Sequence, residues 1–269
     1  MTSEQGYIRS NQQLWDRWTE LHVQSDFYDV PTFKLGGVTL QSEEVTEVGD
    51  VAGKSLLHLQ CHFGQDTLSW ARLGATVTGA DFSPKAIDYA RTLAAEIDID
   101  ARFVCADLYD LPEALRGAFD IVYTGGGAIY WLPDLNRWGK VVSHFLKPGG
   151  TFYIRDFHPV AYLFDDDDPA LKVKYPYFPS PEPLRFETHG SYAAPDPDYL
   201  SVEHGWVHSM GEIINAVTHN GMRLEFLNEN AICGFQMFPF MEQVTKGRWA
   251  LKDRSQSIPF TFSLKATKE

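Results

Sequence analysis

The chain has 269 residues, 44% hydrophobic and 22% charged, the proportions of a globular protein long enough to bury a full core. With 36 acidic against 23 basic residues the formal net charge is −13, which disfavours nucleic acid and anionic membranes as partners. Three cysteines do not make a disulfide framework, residues 1–17 lack a signal-peptide core, and no apolar run approaches the ~18 residues of a membrane span, so a cytoplasmic protein is expected.

Residues 1–50 read as an N-terminal arm. Helical spacing between Asn11 and Val23 gathers Leu14, Trp15, Trp18, Leu21 and His22 on one side. From Val51 strands and helices alternate, with strands predicted at 55–60, 75–80, 101–105, 118–124 and 150–155 and helices at 65–73, 84–97 and 134–146. Ser83-Pro84 supplies an N-cap and a first-turn proline. Leu135, Trp138, Val142 and Phe145 form the apolar face of the third helix, which Leu146-Lys-Pro-Gly-Gly150 stops. Residues 157–205 are rich in aromatics and prolines, carry an acidic run from Asp165 to Asp168 and show no periodicity. Connections longer than ~15 residues are uncommon and often functional, so this segment is predicted to be a lid over the strand ends. Ser209 to Glu212 is a capping box opening a helix that stops near Gly221. Residues 223–228 read as a sixth strand, and 259–267 as a seventh with Phe260, Phe262, Leu264 and Ala266 inward. The rhythm predicts a single doubly wound, mostly parallel α/β domain, divided into arm (1–50), nucleotide-binding core (51–156), lid (157–205) and C-terminal part of the core (206–269).

The densest information lies in residues 56–66, Leu-Leu-His-Leu-Gln-Cys-His-Phe-Gly-Gln-Asp. A short apolar strand enters a turn ending at Gly64, a helix follows, and 17 residues after Gly64 the next strand closes on Asp81. This is the layout of a nucleotide-binding βαβ unit, with an acid placed to accept bonds from ribose hydroxyls. A dinucleotide site needs three glycines in the turn so that pyrophosphate can reach the helix N-terminus. Here Gln60 and His62 hold the first two positions, where their side chains would crowd a pyrophosphate. S-adenosylmethionine (SAM) keeps the adenosine and carries a sulfonium and an amino acid instead of phosphates.

On these motifs the chain resembles the class I SAM-dependent methyltransferases over about residues 52–156 plus the closing helix and strands. Leu57 to Gly64 stands at the family's first motif, with His58 replacing its acid and Gln60 and His62 two of its glycines. Asp81-Phe82, Cys105-Ala-Asp107-Leu108, Phe119 to Thr124, and Leu146 to Gly150 follow in the family's order. The resemblance implies a seven-stranded sheet whose last strand is antiparallel. It also implies Asp81 on the ribose, Asp107 on the adenine amino group, and the end of the fourth strand, Thr124, facing the methyl group. Phe82 and Leu108 would sandwich the adenine, and Gln60, Cys61, His62 and Gly64 would meet the methionine portion. His158 and His208 are candidate bases if the acceptor must lose a proton. Trp15, Tyr130, Trp131 and Tyr192 are candidate substrate walls. No metal is expected, because His58, Cys61 and His62 lack a second ligand cluster. The expectation is a SAM-dependent methyltransferase of a small organic molecule, working as a monomer or homodimer. The alternatives are a non-catalytic SAM-binding regulatory protein and an NAD-dependent oxidoreductase.

Overall fold

The computed structural model describes residues 3–165, 168, 170–253 and 257–269. Asp166 and Asp167 of the acidic run lie outside these residues. One sheet organises the chain. Its strands are β1 (Ser55–Leu59), β2 (Thr76–Asp81), β3 (Arg102–Cys105), β4 (Phe119–Gly125), β5 (Leu146–Phe157), β8 (Met222–Asn230) and β11 (Thr261–Lys268), in spatial order β3-β2-β1-β4-β5-β11-β8. The first five pair in parallel, and β11 runs antiparallel to both β5 and β8. Parallel strands need crossovers, and helices on both faces bury them. On one face α7 (Leu135–Phe145) and α8 (Met210–Thr218) pack Trp138, Val142, Phe145 and Ile213 against Leu57, Val122, Phe152 and Leu264. On the other, Trp70 of α4 (Gln65–Arg72) and Val48 of α3 (Ser42–Val48) meet Leu56, Val77, Tyr123 and Tyr153. α5 (Pro84–Glu96) joins α4 in a second cluster with Phe63 and Phe103, and the short α6 (Leu111–Ala114) follows β3. Ser83 caps α5 by accepting from the Ala86 amide at 3.1 Å, and the capping box of Ser209 and Glu212 opens α8.

The crossovers reverse direction between β1 and β4, so a crevice opens beyond their carboxyl ends, where open α/β sheets bind ligands. Two segments roof it. The arm helix α1 spans Ser3–His22, longer than the 11–23 stretch its spacing suggested, and α2 (Val30–Lys34) follows it. Residues 157–205 contain structure that their sequence concealed, an antiparallel pair of β6 (Leu184–Gly190) and β7 (Pro195–Gly205). α1 is fastened to this pair. The buried Trp18 Nε1 donates to Gly190 O at 2.9 Å, and Asn11 exchanges bonds of 2.7 and 3.0 Å with the His204 backbone. The sequence also gave no sign of the hairpin β9 (Met241–Thr245) and β10 (Arg248–Leu251). β5 starts at Leu146, earlier than expected, through an irregular register that carries Gly149 at φ 73°.

Candidate active site

The turn after β1 has the backbone of a glycine-rich loop without its glycines. Gln60, His62 and Gly64 all adopt left-handed φ, at 57°, 50° and 84°. That conformation costs a side-chain-bearing residue about 1–2 kcal/mol, so two strained residues mark the place. Gly64 has no alternative, because a methyl there would lie 2.8 Å from the Phe103 ring. The two side chains do not fill the crevice. The Gln60 amide donates to Ala128 O at 2.8 Å, and His62 Nε2 lies 2.9 Å from His22 Nδ1 under α1. His22 Nε2 continues to Ser191 Oγ at 3.0 Å. Burial keeps both imidazoles neutral, lowering His22 to about 3 and His62 well below its ordinary value.

Beyond this turn lies a cavity of about 970 Å³, at the upper end of the ~300–1,000 Å³ of ligand pockets. Gln60, Cys61, His62, Gly64, Asp81, Phe82, Asp107 and Leu108 all line it, as do Trp15, Tyr130, Trp131 and Tyr192. Asp81 at the tip of β2 accepts from the His62 amide at 2.8 Å with one oxygen and from the Ser83 amide at 2.9 Å with the other. Each oxygen retains a lone pair, and burial raises the group to about 6. Asp107 accepts from the Tyr109 amide at 2.8 Å, and burial raises it as well. The glycine loop after β4 is held by Asp156, which accepts from the amides of Ile129 at 3.1 Å and Phe157 at 2.6 Å. Gly126 and Gly127 stand there at φ 76° and 87°.

Three expected site residues do not line the cavity. Thr124 is fully buried and does not line the cavity. Alternation along β4 turns Tyr123 and Gly125 to the cavity side and Thr124 away. His158 lies outside the cavity, with Nε2 at 2.7 Å from Glu229 Oε1 and Nδ1 accepting from the Val160 amide. His208 also lies outside it, donating from Nε2 to Leu132 O at 2.8 Å.

Beside His58 of the first motif, the cavity holds polar groups that the sequence did not single out. His58 Nδ1 lies 2.8 Å from Thr67 Oγ1, and burial lowers the ring to about 3. Glu44 accepts from Tyr123 Oη at 2.6 Å, Asp66 accepts from the Thr39 hydroxyl, and Arg155 closes this polar floor. They come from α3, α4, β1, β4 and β5, with no shared motif to announce them. Among the described residues no three His, Cys, Asp or Glu side chains converge as a metal cage requires.

The furnishing fits SAM. Gln60 Oε1 is buried and has no hydrogen-bond partner, an acceptor suited to an ammonium group. Asp81 keeps a lone pair on each oxygen toward the cavity, and Phe82 and Leu108 line it near Asp107. Residues 56–150 match the family described as a methyltransferase domain. An uncharacterized methyltransferase from Synechocystis is 38% identical over 114 residues, 42% of this chain and 51% of that protein. A ubiquinone biosynthesis O-methyltransferase from Xanthomonas oryzae is 31% identical over 141 residues, 52% of this chain and 56% of the relative. The chain thus spans about half the length of the curated relatives it matches. The crystal structure of a putative SAM-dependent methyltransferase from Listeria monocytogenes superimposes with a TM-score of 0.57 at 18% identity, covering 84% of this chain and 97% of that one. The strand order and the reversed β11 give the chain a Rossmann-like methyltransferase fold, and its residues 56–150 match the methyltransferase-domain family.

Proposed function

We propose that this chain transfers the methyl group of SAM to a small organic molecule. The observation that carries the reading is the continuity of one cavity, from Asp81 and Asp107 at the nucleoside end to Trp131, Tyr162 and Phe235 at the other. Its size leaves room for two ligands side by side. Asp81 would accept the ribose hydroxyls, Asp107 the adenine amino group, and Gln60 Oε1 the amino-acid ammonium. When bound, SAM supplies a methyl group already activated on a cationic sulfur.

The protein's contribution is then alignment and exclusion of water. Trp15 and Trp131 pack edge to face at 5.2 Å, and Tyr130 stacks on Tyr162 at 5.1 Å. These rings, with Tyr192, would wall the acceptor. The segment 157–205 and α1 serve as its cover. Should the acceptor need to lose a proton, Asp66 lines the cavity as a carboxylate raised by burial, a better placed base than His158 or His208.

The test is calorimetric titration with S-adenosylhomocysteine, followed by transfer of labelled methyl from SAM to the small-molecule fraction of a cell extract. Failure of S-adenosylhomocysteine to bind defeats the reading. Binding without transfer to any small molecule favours the regulatory SAM-binding alternative.

A further inference from the structure

Among the described residues three arginines are half-buried: Arg72, Arg155 and Arg248. Two are satisfied. Arg72 donates to the carbonyls of Phe33 and Gly37, and Arg248 pairs with Glu43 at 2.5 Å. Arg155 lines the cavity at the end of β5 and makes no side-chain hydrogen bond or ion pair with any described residue. Drawing a guanidinium partly out of water without a partner is costly. Such a group persists where a ligand completes it.

The neighbouring acids do not complete it. Arg155 lowers the proton affinity of Glu44 and Asp66 from a distance. Glu44 accepts from Tyr123 Oη at 2.6 Å and the Gln41 amide at 2.9 Å, Asp66 from the Thr39 hydroxyl, and neither carboxylate is in ion-pair contact with Arg155. Two residues along β5 on the same face stands Phe157, which packs against Phe235 with centroids 5.6 Å apart, and both line the cavity. A planar cation with a free donor fork thus sits beside an apolar aromatic wall. That combination suits a flat organic anion, because a guanidinium matches a carboxylate with two parallel N–H···O bonds.

We propose that Arg155 is a specificity-determining residue of the acceptor subsite, gripping the carboxylate of an aromatic acid whose ring lies against Phe157 and Phe235. The proposal rests on the methyl-transfer reading. The carboxylate is the handle, and the methylated atom is another atom of the acceptor, because both carboxylate oxygens are engaged.

The experiment is calorimetry on the full chain with saturating S-adenosylhomocysteine. The probes are benzoate, 4-hydroxybenzoate and 2-naphthoate, each beside its carboxamide. The wild type should prefer at least one acid over its amide by about tenfold or more. Arg155→Gln should erase that preference while S-adenosylhomocysteine affinity stays within about twofold, and Arg155→Lys should keep part of it. The unfolding midpoint of each variant shows that it is folded, and the Lys variant carries the test if the Gln variant is not. The proposal is overturned if no acid outbinds its amide in the wild type, or if Arg155→Gln keeps the preference. It is also overturned if Arg155→Gln weakens S-adenosylhomocysteine instead, which would assign the guanidinium to the amino-acid end of the cofactor. Absence of S-adenosylhomocysteine binding by the wild type would defeat the methyltransferase reading, a separate and recognisable outcome.

Discussion

Between pH 5 and 8 the affinity for S-adenosylhomocysteine should follow the ionisation of Asp81. Burial raises this carboxyl to about 6, against an ordinary 3.8. Only the ionised form offers acceptors on both oxygens to two ribose hydroxyls, in charge-assisted bonds. At pH 8 about 99% of Asp81 is ionised and at pH 5 about one part in eleven. An affinity scaled by the competent fraction therefore falls about elevenfold, or about 1.4 kcal/mol, as the pH drops from 8 to 5. The buried histidines beside the site do not confuse the measurement, since His22 and His58 are held to about 3 and stay neutral throughout. Asp156, however, also titrates at about 6. Calorimetry across this range on the wild type, Asp81→Asn and Asp156→Asn separates the two. Asp81→Asn should lose more than about tenfold in affinity at pH 8 and show no slope, while Asp156→Asn should keep the slope. A flat wild-type profile, or an Asp81→Asn variant with unchanged affinity, would refute the ribose assignment. The same raised value has the opposite consequence for folding. The native chain binds a proton that the unfolded chain releases between 3.8 and about 6. Stability from this group is present below that window and lost as the pH rises through it.

Ala at His208 or His158 should leave labelled methyl transfer close to wild type, since neither ring meets the cavity. His208→Ala should lower stability by about 1–3 kcal/mol in urea unfolding by leaving the Leu132 carbonyl unpaired; lost turnover at unchanged stability would contradict the placement. Gly64→Ala combines a left-handed backbone with a methyl set against the Phe103 ring. It should destabilise by more than about 2 kcal/mol, and a neutral effect on the urea midpoint would mean that the turn is shaped differently. Trp18→Phe removes the tie between α1 and Gly190 and should raise hydrogen exchange in α1 and β6, at a cost of about 1–3 kcal/mol. Unchanged exchange there would show that the roof does not depend on that bond.

The alternation of strands and helices was legible because its causes are local. Leu135, Trp138, Val142 and Phe145 share one helical face, Phe260 to Ala266 alternate, and Ser83 and Ser209 cap the helices that follow them; each needs only near neighbours in the chain. That Asp81 and Asp107 line the cavity was legible for the same reason, as acids at strand ends in a fixed order behind Gly64. The β6–β7 pair was hidden because the alternation of Leu184 and Phe186, which face the cavity, with Arg185 and Glu187 lasts only four residues, and β7 opens on Pro195-Asp-Pro-Asp198 with no alternation. His158 and His208 illustrate the limit on the site itself. A histidine after a strand is a plausible base by type and position, yet its rotation about the strand and the carbonyl or carboxylate it meets come from other parts of the chain. Thr124 lies off the cavity for the complementary reason, since the sheet's pleat turned it inward by one residue.

The amino-acid order by itself determined the strands and helices of the main sheet, the acids at its strand ends and the resemblance to methyltransferases over residues 56–150. Those properties follow from hydrophobic period, capping and turn chemistry, which act over a few residues. The tertiary structure alone decided that Gln60 and His62 bend aside in left-handed conformations rather than fill the crevice. It also decided that Arg155, Glu44, Asp66 and His58 share one polar floor, and that the two histidines face away. These depend on side chains brought together from distant segments, where the competition for each hydrogen bond is settled only when the whole chain has packed.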